Sequence, residues 1–277
     1  MEEAMRAQPQ LLSLMKRIME RINSAKGGMT DDARSLSEMT DLLIQYKHFG
    51  LLYSLFSNRP MVVQGGIFEG LVYDPPIFEG SLFPRLLGTY EANLQPHILE
   101  LKKRSYETIL NIGCAEGFYA SGLGRMFPDA VIHAYEIQDY LRDACAVVAT
   151  DNGLQSRFYL GKEFVPNQSE VPSGRRTLLF CDIEGGEFTL LNMTTFPQIA
   201  NMDMVVEIHP GADRTLDEFV SRFVSTHDIE IVDLSRRVVP APPAIRGIGD
   251  INQLLSICEF RGSETPWVVL RSRTLGH

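Results

Sequence analysis

Glu107–Leu123 reads ETILNIGCAEGFYASGL, and the fold is decided there. The apolar run Thr108–Ile112 predicts a buried strand. It passes through Gly113-x-x-x-Gly117 into an amphipathic segment, Phe118–Phe127, that predicts a helix. A tight glycine turn between a parallel strand and a helix lets backbone N–H groups approach a ligand closely. The next apolar run, Val131–Ile137, carries Glu136 near its end. From that position an acidic side chain reaches ribose hydroxyls in dinucleotide-type folds. Strand, turn, helix and acid together predict a site for a nucleoside-containing cofactor.

Outward from this stretch, strands and helices alternate. A helix over Asp139–Thr150 is followed by strands at Arg157–Leu160, Thr177–Asp182, Met204–Ile208, Ile229–Leu234 and Trp267–Ser272. A helix is expected from about Thr215 to Thr226 and another near Ile251–Ile257. Strands separated by helices, without hairpin signals, predict a parallel sheet with right-handed crossovers. The last strand is expected to pair with Ile229–Leu234 as a terminal hairpin-like unit. Upstream, Gly88-Thr89-Tyr90-Glu91 opens a predicted helix, Glu91–Arg104. Tyr90 and Glu91 there are open to two readings, ligand contact or a plain helix start.

Residues 1–58 read as a helical appendage and residues 59–277 as the cofactor-binding domain. Leu11, Leu12, Met15, Ile18, Met19 and Ile22 recur at helical spacing, and Lys26-Gly27-Gly28 ends that segment. Thr30-Asp31-Asp32 offers an N-cap for a second helix with Leu36, Met39, Leu42, Leu43 and Tyr46 on one face. Such stripes are core more often than cofactor contacts, and the appendage is expected to serve as packing, substrate lid or homodimer contact. Residues 59–87 are rich in Gly and Pro and repeat Ile-Phe-Glu-Gly at 67–70 and 77–80, which suggests strand or hairpin elements.

At 277 residues the chain can bury a substantial core. A formal charge of −9 argues against a nucleic acid backbone as the main partner. No apolar run approaches the roughly 18 residues of a membrane-spanning helix. The start, MEEAMRAQPQ, lacks the apolar core of a signal peptide. Cys114, Cys145, Cys181 and Cys258 show no CxxC spacing, so they read as small buried thiols of a reducing compartment. The expected location is cytoplasmic, with a small-molecule substrate and no membrane partner.

In an open parallel sheet, ligands bind outside the C-terminal strand ends. There the sequence places Asn111 and Gly113, Glu136, Asp182 with Glu184, and Glu207 with His209. Side chains alternate along an extended chain, so Asp182 can share a face with Glu184, and Glu207 with His209. The cluster could act as a general base, with His209 first choice because an imidazole titrates near neutrality. A second reading is a divalent cation held through Asp182, Glu207 and His209, although nothing in the spacing is diagnostic of one. A third reading is that Glu184 and His209 merely terminate their strands. Arg236, Arg237 and Arg246 on the late loop could meet an acidic substrate, though a solvated basic loop is the preferred reading.

The segments NIGCAEGFYASGL, AYEI, LLFCDIEGGEFTLL and MVVEIHP resemble the S-adenosylmethionine-dependent methyltransferases of the FkbM type, whose fourth strand runs into Asp-x-Glu-Gly-x-Glu. The likeness spans about Gly88 to His209. It implies an α/β class I methyltransferase fold, Rossmann-like, with a seven-stranded, mostly parallel sheet, helices on both faces and an antiparallel last strand. It further implies mostly O-methylation of small molecules or sugars. By position, Gly113 and Gly117 would line the methionine part of S-adenosyl-L-methionine, Glu136 would bind the ribose, and Asp182 would lie at the methyl-transfer end. Asn111 stands where an Asp or Glu is usual, so recognition of the cofactor's amino group would differ or shift to Glu91. N-methylation, or a non-catalytic binder on the same fold, are the alternatives. A hydride-transfer enzyme fits less well, because Ala115 breaks the GxGxxG pattern that pyrophosphate contact prefers.

Overall fold

The computed structural model describes residues 9–25, 33–78, 81–166, 168–169, 176–232, 239, 241–261 and 265–275. Seven strands form one sheet: β1 (Thr108–Ile112), β2 (Val131–Tyr135), β3 (Phe158–Gly161), β4 (Thr177–Cys181), β5 (Asp203–Glu207), β6 (His227–Val232) and β7 (Trp267–Ser272). Their order is β3-β2-β1-β4-β5-β7-β6. The pairs among β1 to β5 are parallel. Strand β7 runs antiparallel to both β5 and β6. The expected partnership of the last two strands is present, and β7 also slots between β5 and β6, joining the pair to the sheet. This is the mostly parallel seven-stranded sheet of the class I methyltransferase fold.

Every residue of β1, β4 and β5 is buried. These are the continuous apolar runs of strands covered on both faces. One face packs Leu110, Ile112, Leu179, Met204, Val206 and Leu270 against Phe188, Phe219 and Phe223 from the crossovers. At the start of β5, the buried Asp203 carboxylate takes two bonds from Arg104, at 2.9 and 2.8 Å, one from the Tyr106 hydroxyl and one from the Ser272 N–H. That end of the sheet is pinned by a structural ion pair. The opposite strand ends carry the polar groups described below.

Several local expectations differ. The helix predicted from Glu91 begins at Gln95 and ends at Leu101. Glu91 holds a left-handed backbone, φ 47, which cannot open a helix. Among the described residues of 59–87 the expected hairpin is reduced to one antiparallel pairing at the isolated Val62–Val72 bridge, in which the Val63 N–H donates to the Leu71 carbonyl at 2.9 Å and the Tyr73 N–H to the Met61 carbonyl at 2.8 Å. These residues also contain a short turn of 3₁₀ helix at Gly66–Phe68 and an unexpected helix, Leu82–Leu87. The helix expected to Thr226 stops at Ser221, capped at its start by the Thr215 hydroxyl, which accepts from the Glu218 N–H at 3.2 Å. Strand β6 starts two residues early, because His227 is buried and its Nε2 lies 3.0 Å from the Met202 carbonyl. Residues 26–32, 79–80, 170–175 and 233–238 lie outside the described residues. With them go the N-cap at 30–32, the last two residues of the second Ile-Phe-Glu-Gly, Leu234, and Arg236 and Arg237.

The chain divides into two compact units, Met1–Arg59 with Ala241–Cys258, and Pro60–Pro240 with Glu259–His277. The first contains the helices Pro9–Ala25, Ala33–Leu55 and Asp250–Ile257. Leu14, Ile18 and Leu42 form its small core, and His48 Nδ1 meets the Leu255 carbonyl at 2.8 Å. Leu36 and Leu43, expected on the packed face, are 70% and 50% exposed. The second unit carries the whole sheet and the cleft.

Candidate functional site

The glycine turn after β1 is a run of left-handed residues: Gly113 at φ 75, Ala115 at φ 44 and Gly117 at φ 89. A Cβ on Gly113 would stand 1.7 Å from the Asp182 carbonyl oxygen, so β1 and β4 can approach this closely because the side chain is missing. A Cβ on Gly117 would meet Cys145 Sγ at 2.8 Å. The Tyr135 carbonyl at the end of β2 accepts from the N–H groups of Gly113 and Cys114, at 2.9 and 3.0 Å. Glu136, 7% exposed, takes the Ala115 N–H on one carboxylate oxygen at 3.0 Å and the Gln138 N–H on the other at 2.9 Å. The turn and the acid are thereby locked to each other.

A cleft of about 830 Å³ opens over this turn, within the usual range for small-molecule sites. Gly113, Glu136, Asp182, Glu207 and His209 all line it. Glu91, Asn111 and Gly117 lie outside the lining. Asn111 is buried on β1; its Nδ2 donates to the Phe180 carbonyl at 3.3 Å, and its Oδ1 has no partner among the described residues.

At the ends of β4 and β5 the carboxylates are crowded. One ligand-capable atom from each of Asp182, Glu207 and His209 lies within 4.8 Å of the others. Burial first, then the charges of Glu207 and Glu91, push Asp182 up to about 8, with His209 pulling the other way. For His209, burial works downward. The hydrogen bond of Glu187 and the charges of Glu207, Asp182 and Glu187 outweigh it and carry the imidazole up to about 9. An imidazole poised at neutrality is therefore not what the site holds. Asp182 and Glu184 both line the cleft, although strand β4 ends at Cys181 and Glu184 turns left-handed at φ 53. Its exposed carboxylate still comes within 3.4 Å of His209 Nε2.

Reading the sequence did not single out the residues that organise these acids. Arg261 lies across three carboxylates: it bonds Glu207 at 2.7 Å, Glu259 at 2.8 Å, and Glu91. Thr265 donates to Glu207, and the Tyr119 hydroxyl to Glu91. Glu91 is pushed up to about 7 by its burial and by the Glu207 charge, against the pull of Arg261. Beside the glycine turn a second buried pair forms. Glu116, fully buried, accepts from Arg85 and from the Tyr73 hydroxyl, the latter at 2.6 Å. Arg85 also stacks 4.7 Å over the Tyr90 ring. An acid inside a glycine turn was a usable signal for Glu116. Arg261 sits in an irregular stretch remote in sequence from Glu91 and Glu207, and no pattern marks it.

No family model matches the chain, and no curated protein does. Solved structures similar in fold include the O-methyltransferase TomG from Streptomyces achromogenes, in complex with SAM, at 13% identity and a TM-score of 0.42, covering 64% of this chain and 80% of that one. Geranyl diphosphate C-methyltransferase from Streptomyces coelicolor aligns at 11% identity and a TM-score of 0.45, over 82% of this chain and 98% of that one. The human methyltransferase 10 domain containing protein aligns at 13% and 0.47, over 83% and 96%. Others carry the names of ribosomal and transfer RNA methylases. Likenesses this distant transfer neither substrate nor chemistry. The strand order and the antiparallel β7 stand on their own geometry, and they give the class I methyltransferase fold.

Proposed function

We propose that this chain is an S-adenosylmethionine-dependent methyltransferase of the FkbM type that methylates a hydroxyl oxygen of a small, uncharged molecule such as a sugar-containing metabolite. The observation that carries this reading is a single cleft. It joins a locked glycine turn and its facing acid, Gly113 and Glu136, to the convergent Asp182, Glu207 and His209. The residues fit the cofactor. Gly113, which leaves no room for a Cβ, brings the turn close to the end of β4 in the lining of the cleft, and the Glu136 carboxylate keeps lone pairs beyond its two N–H bonds for ribose hydroxyls. When bound, S-adenosylmethionine supplies an electrophilic methyl on a sulfonium. His209 orients the acceptor hydroxyl, Asp182 takes the hydroxyl proton once it has lost its own, and the cleft aligns nucleophile and methyl.

The cations lining the cleft favour an uncharged acceptor. Arg261 and Arg85 are spent on buried carboxylates, and Lys162 lies 3.4 Å from Asp139. The donors of Asp182, Glu207 and His209 could also accept a hard divalent cation that lowers the hydroxyl pKa. Turnover that survives thorough chelation removes that variant.

Calorimetry with S-adenosylhomocysteine tests the cofactor half: the chain should bind it, and Glu136→Ala should weaken binding by roughly 10- to 100-fold, the worth of a lost charge-assisted hydrogen bond. Unchanged affinity in the variant removes Glu136 from the ribose site. Methyl transfer from labelled cofactor to a panel of polyols and amines then separates oxygen from nitrogen acceptors.

A further inference from the structure

The third acid of Asp182-Ile183-Glu184-Gly185-Gly186-Glu187 does not line the cleft, yet it is the most enclosed of the three. Glu187 has no exposed surface. Its Oε2 accepts the Gly185 N–H at 2.9 Å and its Oε1 accepts the His209 backbone N–H at 2.7 Å. One carboxylate thus ties the turn after β4 to the chain leaving β5. The same Oε1 lies 3.4 Å from His209 Nδ1. That nitrogen is buried, and among the described residues no hydrogen bond reaches it, so the Glu187 carboxylate is its nearest acceptor. On the other side of the ring, Nε2 faces Asp182 Oδ1 at 3.8 Å and Glu184 Oε2 at 3.4 Å, in the lining of the cleft.

The two ring nitrogens therefore have different surroundings. A buried carboxylate beside one nitrogen fixes which of them carries the proton, and so which is left to act. The 3.4 Å separation is long for a hydrogen bond, as catalytic contacts commonly are before substrate arrives. A buried carboxylate with no cation of its own would be costly. Here two N–H donors hold it before the imidazole is counted.

We propose that Glu187 is the positioning residue of the acceptor end: its carboxylate accepts a hydrogen bond from the Nδ1–H of His209 and keeps Nε2 turned into the cleft. This rests on the reading of His209 as an acceptor-end group. The step it serves is a simple proton transfer, in which the acceptor O–H bond breaks as the methyl–oxygen bond forms and the proton passes to ionised Asp182, or to Nε2 when the imidazole is neutral. Glu187 touches neither substrate nor cofactor and acts through His209.

The test uses the full chain, labelled with ¹⁵N at histidine and saturated with S-adenosylhomocysteine. Long-range ¹H–¹⁵N spectra are recorded at a pH where the imidazole is neutral. Wild type should show His209 with its proton on Nδ1; a proton on Nε2 overturns the proposal whatever the variants do. Glu187→Gln should lose that preference, keep S-adenosylhomocysteine affinity within about twofold, and lower kcat by roughly 10- to 100-fold with KM for the cofactor unchanged, the scale typical of a lost carboxylate partner to a working histidine. A variant that keeps the wild-type tautomer and kcat also overturns it. If wild type shows the tautomer but binds no S-adenosylhomocysteine, the methyltransferase reading fails and the Glu187–His209 arrangement stands.

Discussion

Asp182 is where residue-level electrostatics makes its sharpest statement. Its carboxyl is pushed up to about 8 by burial and by Glu207 and Glu91, so at neutral pH it mostly holds its proton. A base that must be empty to work becomes available as pH rises. With the free protein's groups reported by kcat/KM for the cofactor, that parameter should climb about tenfold per pH unit toward 8 and level off beyond it. In Asp182→Asn the climb should vanish with most of the rate. A flat wild-type profile from pH 6 to 9 would show that Asp182 is not the proton acceptor. The acids themselves were readable, because a period of two places Glu207 and His209 together and Asp182 at the neighbouring strand end. Which of them is the base was not, since that depends on Arg261 and Glu187. Their partners are set by the fold and leave no mark on spacing.

At the scale of elements, the strands were legible and their connections less so. Strands β1, β4 and β5 are buried on both faces and appear in sequence as unbroken apolar runs. Residues 59–87 have no such run. Their shape comes from long-range bonds, such as the Gln64 N–H to the Leu86 carbonyl at 2.8 Å, which no local pattern announces. The segment around Arg261 is the extreme case. Glu259, Arg261 and Thr265 carry it against Glu91 and Glu207, and the Ser81 hydroxyl donates to the Glu259 carbonyl at 2.5 Å. Removing the guanidinium leaves three buried carboxylates facing one another. Arg261→Ala should therefore cost about 3–5 kcal/mol of stability, the usual loss when a buried charge is stranded, measurable by urea unfolding. Arg261→Lys can satisfy one or two of the three acids and should recover part of it. A loss below about 1 kcal/mol in the Ala variant would mean that the acids simply take up protons.

For the molecule as a whole, the first unit shows what reading in chain order misses. Ala241–Cys258 groups with the N-terminal helices, and the pairing of His48 with the Leu255 carbonyl spans most of the chain. The second unit concentrates titrating groups whose folded pKa lies above the unfolded value: Glu91 at about 7, Asp182 at about 8 and His209 at about 9. All three bind more protons folded than unfolded over the intervening range, so stability falls as pH rises. For the two carboxyls the loss begins at their unfolded values and runs up to pH 7 and 8. For His209 the contribution is complete below its unfolded value of 6.5 and is lost on the way to about 9. On the acid side, Glu187 and Glu230 are held below their ordinary range. Burial pushes both upward, but hydrogen bonds from His209 and backbone N–H groups prevail at Glu187, and those from Arg271 and His97 at Glu230. Their stabilisation disappears as pH drops through the carboxylate range. The melting temperature of the cofactor-free chain should thus peak on the mildly acidic side of neutrality and decline steadily to pH 9. Glu91→Gln with Asp182→Asn, which removes two of the raised groups, should flatten the alkaline decline. A melting temperature that instead rises between pH 6 and 9 would show that the crowded carboxylates ionise without cost, and that their crowding has another compensation.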